Sequence, residues 1–119
     1  MEQLTLHKDL TARQAINEVI RNNKKYKYNP QRFIQMMNVQ DQDKLLLKIE
    51  QLIQNTDESV LGTLFIQVKE KKTILTIEDL VVLFGEKWGY SDSLLNIANE
   101  RVKKFNEWAN GERFLIELI

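Results

Sequence analysis

Short runs of apolar residues at helical spacing, each introduced by a residue that caps helices, dominate this chain. The cap residues carry hydroxyl, carboxyl or amide side chains. Five helices have the caps Thr11, Asn29, Asp41, Thr76 and Ser91, and residues 55–57 cap the fourth. Gln14 follows Thr11 by three positions, and Asp79 follows Thr76 by the same distance. At this spacing each side chain can satisfy a backbone N–H of the first helical turn. The pattern predicts an all-α fold, a compact bundle of about six short helices.

The apolar stripes also predict where the helices lie. They begin at about residues 11, 30, 41, 57, 76 and 91. The first stripe stops at Asn22 and Asn23, the fifth fades near Gly85 or residues 88–89, and the sixth stops at residues 110–111. Residues 114–119 are too apolar to be left in water. We expect them to pack back on the bundle as a short helix or strand, or to meet a partner.

One stretch, residues 64–77, fits two local structures. Residues 64–68 continue the helical stripe of the fourth segment, but they could also form a β-hairpin with residues 73–77. The intervening residues 69–72 contain no Gly or Asn, which tight hairpin turns prefer. A helix is therefore favoured for this stretch, and one short β-hairpin remains the alternative.

The length and composition bound the class of protein. With 119 residues we expect a single α-helical domain over 1–119, in which residues 1–10 are loosely ordered. Acidic and basic residues are equal in number, 17 each, so the formal net charge is zero. The N-terminus lacks the basic and apolar regions of a signal peptide, and the longest apolar runs are far too short to span a membrane. We therefore predict a cytoplasmic protein with no membrane partner.

Residues that carry catalysis or bind cofactors are scarce. There is no cysteine, His7 is the single histidine, and no glycine-rich phosphate loop is present. Asp41 and Asp43 begin like a calcium loop but lack its turn glycine and ligand spacing. We predict that the protein is not an enzyme and has no catalytic, metal-binding or cofactor-binding residues, and we see no small-molecule substrate.

A basic segment between residues 20 and 34 carries five positive charges and no acid. Its cations could neutralise phosphates, and Tyr26 and Tyr28 could stack on bases. A solvated loop with the tyrosines folded onto the core explains the same segment. The basic residues are Arg21, Lys24, Lys25, Lys27 and Arg32.

The order of elements in residues 57–119 suggests an alternative function, a winged-helix DNA-binding regulator. The helix from Ser91 would then enter the major groove, and Asn110 with Gly111 would form the wing. The phosphate contacts would come from Arg101, Lys103 and Lys104. Against this, the start of that helix offers no Arg or Lys to read bases, and a net charge of zero is unusual for a nucleic-acid binder.

Within residues 60–104 the pattern predicts a helix, a break at Lys71 and Lys72, and a further helix after the short sequence Leu-Thr-Ile-Glu-Asp-Leu, the phrase at 75–80. In this order and phrase the chain resembles small tail-assembly chaperones of long-tailed phages. The resemblance covers under half of the chain. It implies a non-enzymatic helical protein, from a phage or mobile element, that binds a tape-measure protein and recruits tail-tube subunits.

We therefore predict a protein-interaction module of adaptor or assembly-chaperone type, with a protein partner or a second copy of itself. Such modules present an apolar groove or helix face to a partner. The candidate contacts are apolar and aromatic residues left over once each helix has one buried face. They are Ile66, Val82, Leu83, Trp88, Tyr90, Trp108, Phe114 and Ile116.

Overall fold

Five α-helices, one 3₁₀ turn and two short strands make up the described part of the chain, residues 3–57 and 71–119 of a computed structural model. In chain order they are β1 (Gln3–Leu6), α1 (Ala12–Lys25), α2 (Gln31–Met36), α3 (Gln42–Asn55), the 3₁₀ turn (Lys71–Thr73), α4 (Ile77–Phe84), α5 (Asp92–Trp108) and β2 (Leu115–Leu118). The fourth predicted helix, over 57–71, lies almost wholly outside the described residues. No described helix combines the length and the apolar character that crossing a membrane requires.

The predicted helix starts are confirmed at four of the five caps. Thr11 and Thr76 form complete capping boxes, and Asp41 and Ser91 accept hydrogen bonds from the backbone three residues on. At α2, Pro30 takes the cap position and no side chain caps the helix, so Asn29 does not act as predicted. The local signal thus locates these helix starts because capping depends on neighbouring residues alone.

The described residues are mostly helical, as predicted, but the fold is not strictly all-α, because β1 and β2 form a small sheet. β1 and β2 pair in parallel, with Gln3 beside Leu115 and Leu6 beside Leu118. β1 alternates polar and apolar residues, as suits a strand, whereas Leu115–Leu118 shows no such alternation. β1 also lies inside residues 1–10, for which we predicted loose order, and its Leu6 is buried.

The core lies where α1, α3, α4 and α5 meet. Its largest fully buried apolar side chains come from all four helices and include Ile16, Leu45, Ile49, Ile53, Leu80, Phe84 and Leu94. Most of these residues belong to the apolar stripes that the helical spacing predicts. Since α4 is buried along most of its length, the residues that lead into it are drawn into the interior as well.

The segment before α4, residues 74–76, lies outside the helices, is buried, and ends with Thr76 in an extended conformation. This extended segment and the preceding Thr73 are held in place by α1. Asn22 donates to the Thr73 carbonyl at 3.1 Å and accepts from the Leu75 N–H at 2.7 Å. Asn23 donates to the Leu75 carbonyl at 3.0 Å. These two asparagines, predicted to end α1, instead lie inside it and use their amides on a distant segment. Residues 74–76 form no strand, and residues 64–70 of the hairpin alternative lie outside the described residues.

Replacing Asn22 by alanine should destabilise the fold, because it leaves the Leu75 N–H without its acceptor. We expect Asn22→Ala to lower the free energy of unfolding by about 1–3 kcal/mol. Asn17→Ala, at an exposed position of the same helix, is the control and should change it by less than about 0.5 kcal/mol. Urea unfolding followed by circular dichroism measures both, and equal losses would contradict the role given to Asn22.

Candidate protein-interaction surface

The capping box at the start of α4 holds a buried carboxylate. The Asp79 carboxylate accepts from the Thr76 N–H at 2.9 Å and from the Thr76 hydroxyl at 2.8 Å. The Asp79 N–H donates back to that hydroxyl at 3.2 Å. The Asp79 side chain is only 4% exposed. The box therefore leaves a negative charge in the interior that needs a positive partner.

Arg113 is that partner, and it lies just before β2. Its guanidinium contacts both oxygens of Asp79, at 2.8 and 2.7 Å, and donates to the Ile74 carbonyl at 2.8 Å. The two parallel bonds make a bidentate pair, the strongest geometry for arginine and carboxylate. One side chain thereby ties the start of β2 to the start of α4 and to the extended segment.

Two aromatic rings flank the same guanidinium. Its centre lies 5.5 Å from the ring of Phe105 on α5 and 5.0 Å from the ring of Phe114. Such contacts add cation–π attraction to the ion pair. Phe114, a predicted interface residue, is thus half-buried by packing on Arg113 and on the core.

Beyond Arg113, the strand exposes apolar side chains. Leu115 is 61% exposed, Leu118 is 40% exposed and the following Ile119 is 60% exposed. Ile116, another predicted contact, is half-buried and packs against the core. The exposed apolar surface of this strand is therefore carried by different residues from those that we predicted.

A second buried ion pair lies beside the first. Arg101 on α5 donates to Glu78 at 3.1 Å and to the Thr56 carbonyl at 2.8 Å. The Glu78 side chain is 3% exposed, and burial raises the pKa of its carboxyl, outweighing the opposing effect of Arg101. The two adjacent acids of α4 thus bind two different arginines.

The aromatic residues that we predicted to contact a partner pack partly against other side chains of the same molecule. Trp88 stacks on Phe84 at 5.4 Å between ring centroids and meets Tyr90 edge-on at 6.3 Å. The Tyr90 hydroxyl donates to the Leu46 carbonyl at 2.6 Å, and burial raises its pKa. Trp108 lies 5.9 Å from Phe105. Trp88, Tyr90 and Trp108 are all half-buried, as Phe114 is.

The remaining predicted contacts lie on α4 or outside the described residues. Val82 on α4 is 38% exposed, and Leu83 beside it is half-buried against the core. Ile66 lies outside the described residues. Among the predicted interface residues that the structure describes, Val82 is therefore the only one that is exposed, and the others are half-buried.

The candidate nucleic-acid contacts are also dispersed. Arg21 and Lys25 line one cavity, together with residues of β1 and Phe114. Arg32 lines a different cavity of about 490 Å³ between α1, α2, α3 and residues 74–78. The remaining lysines of the basic segment, Lys24 and Lys27, are exposed.

The features of the winged-helix alternative are only partly present. Arg101 is engaged by Glu78, while Lys103 and Lys104 are exposed on α5, Lys103 within reach of Glu100 at 3.4 Å. Asn110 and Gly111 have positive φ values of 56° and 73° and end α5, so they do not connect two strands as a wing would.

Sequence reasoning missed Arg113, and it placed the exposed apolar side chains of the tail one position away. The available signal was the two-residue period of a strand, which separates two faces of the tail but does not say which of them is buried. If residues 114–119 are taken as a strand, Phe114 and Ile116 share one face while Leu115 and Ile119 share the other. The pairing of Arg113 with Asp79 has no local signal, because the two residues are 34 positions apart.

Comparisons with family models, curated proteins and solved structures found no match to this chain. Within residues 3–57 and 71–119, no group of three or more His, Cys, Asp or Glu side chains could hold a metal ion.

Breaking the Arg113–Asp79 pair should be costly, because it leaves a buried carboxylate without its cation. We expect Arg113→Met to lower the free energy of unfolding by about 3–5 kcal/mol. Lys72→Met, which removes the exposed Lys72–Glu112 pair, is the control and should cost less than about 1 kcal/mol. Chemical denaturation of both variants is the measurement. Similar losses in the two variants would show that the buried pair does not anchor β2.

The raised pKa of Glu78 predicts a pH dependence of stability. Because the folded-state pKa lies above the ordinary value of 4.5, the folded chain binds more protons than the unfolded chain between the two values. The stability contributed by this shift is fully present below pH 4.5, and it is lost as the pH rises through the folded-state pKa. The free energy of unfolding of wild type minus that of Glu78→Gln should therefore decrease from pH 4.5 towards neutrality. Urea titrations at a series of pH values measure it, and a constant or rising difference would contradict the sign.

Proposed function

We propose that this chain is a non-enzymatic protein-interaction module of adaptor or assembly-chaperone type, working in the cytoplasm, and that β2 is its contact strand. One observation carries the proposal. Of the six large apolar side chains that are exposed in the described residues, three fall within five consecutive positions: Leu115, Leu118 and Ile119. Concentrated exposed apolar surface is typical of interaction sites.

The anchoring of the strand supports the same proposal. Arg113 fixes the base of β2 through its buried pair with Asp79, and β1 pairs along the length of the strand. The exposed leucines therefore project from a backbone that is held in place. A preorganised surface loses less conformational entropy on binding than a flexible one.

Polar substitutions on β2 should remove partner binding without unfolding the protein. We expect the wild-type protein to form a defined complex with one protein from the cells that produce it. The partner is isolated by affinity capture, and the complex is then reconstituted from the two purified proteins. The double variant Leu115→Ser with Ile119→Ser should bind at least about tenfold more weakly, since each truncated contact removes about 1 kcal/mol or more of binding energy.

Leu47→Ser with Val82→Ser is the matched control, because it changes two exposed apolar residues on α3 and α4. Far-ultraviolet circular dichroism confirms that both double variants are folded. A complex that survives the β2 substitutions, or that is lost equally in the control, would overturn the assignment of β2 as the contact strand.

A further inference from the structure

Within the described residues, β2 uses only one of its two edges. The Ile119 N–H donates to the Leu6 carbonyl at 3.0 Å, and the Ile119 carbonyl accepts from the Lys8 N–H at 2.9 Å. By the two-residue period of a strand, the backbone groups of Leu115 and Glu117 also face β1. Those of Ile116 and Leu118 face the opposite edge, where no described backbone group bonds to them.

The opposite edge is bonded only at its start in the described part. There the Phe114 N–H donates to the Lys72 carbonyl at 3.1 Å. A two-stranded sheet is marginal by itself, and parallel strands are normally covered. A third strand beside Ile116 and Leu118 would satisfy both of their N–H groups and both of their carbonyls.

The side chains on the solvent face of β2 determine which side chains a third strand needs in order to pair with it. Leu115, Glu117 and Ile119 alternate along this face and are exposed. The Glu117 carboxylate accepts a hydrogen bond from the neutral amide of Gln3, and no described cation contacts it. Its charge is therefore available to a positive side chain directly opposite, with an apolar side chain on either side.

A second copy of the chain fits this edge poorly. In the antiparallel register that satisfies all the outward groups, Ile116 lies opposite Leu118 of the copy, and Glu117 then faces itself. The Cα atoms of the two glutamates would lie about 4.5 Å apart, and their like charges would repel each other. A four-residue strand also buries far less than the roughly 1,200 Å² of a stable interface between globular proteins.

We propose that the outer edge of β2 binds an extended segment of a partner protein by β-strand addition, with a basic side chain opposite Glu117 and apolar side chains opposite Leu115 and Ile119. This rests on the proposed function and specifies its binding mode and the chemistry of the partner. Main-chain hydrogen bonds supply affinity in this mode, and alternate side chains supply specificity.

A synthetic peptide tests the charge requirement. The probe is the capped heptapeptide TVTKTVT, whose central lysine lies opposite Glu117 when its valines lie opposite Leu115 and Ile119. Binding is followed by amide chemical shifts of the full-length protein, which should change along β2 and its neighbours. The TVTETVT peptide should bind about two- to fivefold more weakly, and Glu117→Lys should reverse this preference. An unchanged preference in that variant would overturn the proposed charge pairing.

Methylated peptides test strand addition itself. In one TVTKTVT peptide the two threonines beside lysine are N-methylated, and in the other the lysine and both valines are. The two sets of N–H groups point to opposite edges of the peptide strand, so only one methylated peptide should lose binding. Loss with methylated threonines indicates antiparallel addition, and loss with the other set indicates parallel addition.

Three outcomes would overturn the inference: equal binding of the two methylated peptides, no binding of any peptide at millimolar concentration, or dimerisation of the protein that Leu118→Pro abolishes. The last result would assign the edge to a second copy, since proline removes the outward-facing N–H. If the peptides fail while Leu115→Ser with Ile119→Ser still loses the protein partner, strand addition is wrong and the proposed function stands.

Discussion

The buried pair between Arg113 and Asp79 is the interaction on which the arrangement of the chain depends. Asp79 belongs to the cap of α4, Arg113 precedes β2, and the same guanidinium bonds to the carbonyl of Ile74 in the extended segment. A charge taken out of water is tolerated only when it is paired and hydrogen-bonded. These three parts of the chain therefore have to come together in one geometry or not at all.

That geometry also decides which side chains reach the solvent. Arg113 fixes where β2 starts, and pairing with β1 fixes its register, so Ile116 packs on the core while Leu115 and Ile119 face outward. A shift of one residue would exchange the two faces. The exposed apolar strand is thus a consequence of the buried ion pair at its base, which links the stability of the fold to the proposed binding surface.

The sequence predicts the parts of this structure that depend on neighbouring residues. The capping residues and the helical stripes locate most of the helices because their signals extend over three or four positions. The sequence does not predict contacts between distant residues. Arg113 resembles any surface arginine until Asp79 is placed beside it, and Asn22 resembles a helix stop until the extended segment lies against it. The faces of the tail were missed for the same reason, since they depend on register with β1.

The parallel pairing of β1 with β2 sets the order of events as the protein is made. Gln3 contacts Glu117, a residue 114 positions later, so β1 leaves the ribosome long before its partner exists. At common rates of translation this wait lasts on the order of ten seconds, far longer than a local helix needs to form. The helices can therefore form before the sheet closes, and closure of the sheet is expected to be slow because its contacts join residues far apart in the sequence. Until then the pairing edge of β1 has no partner strand, so we expect the nascent chain to be more prone to aggregation than the finished protein.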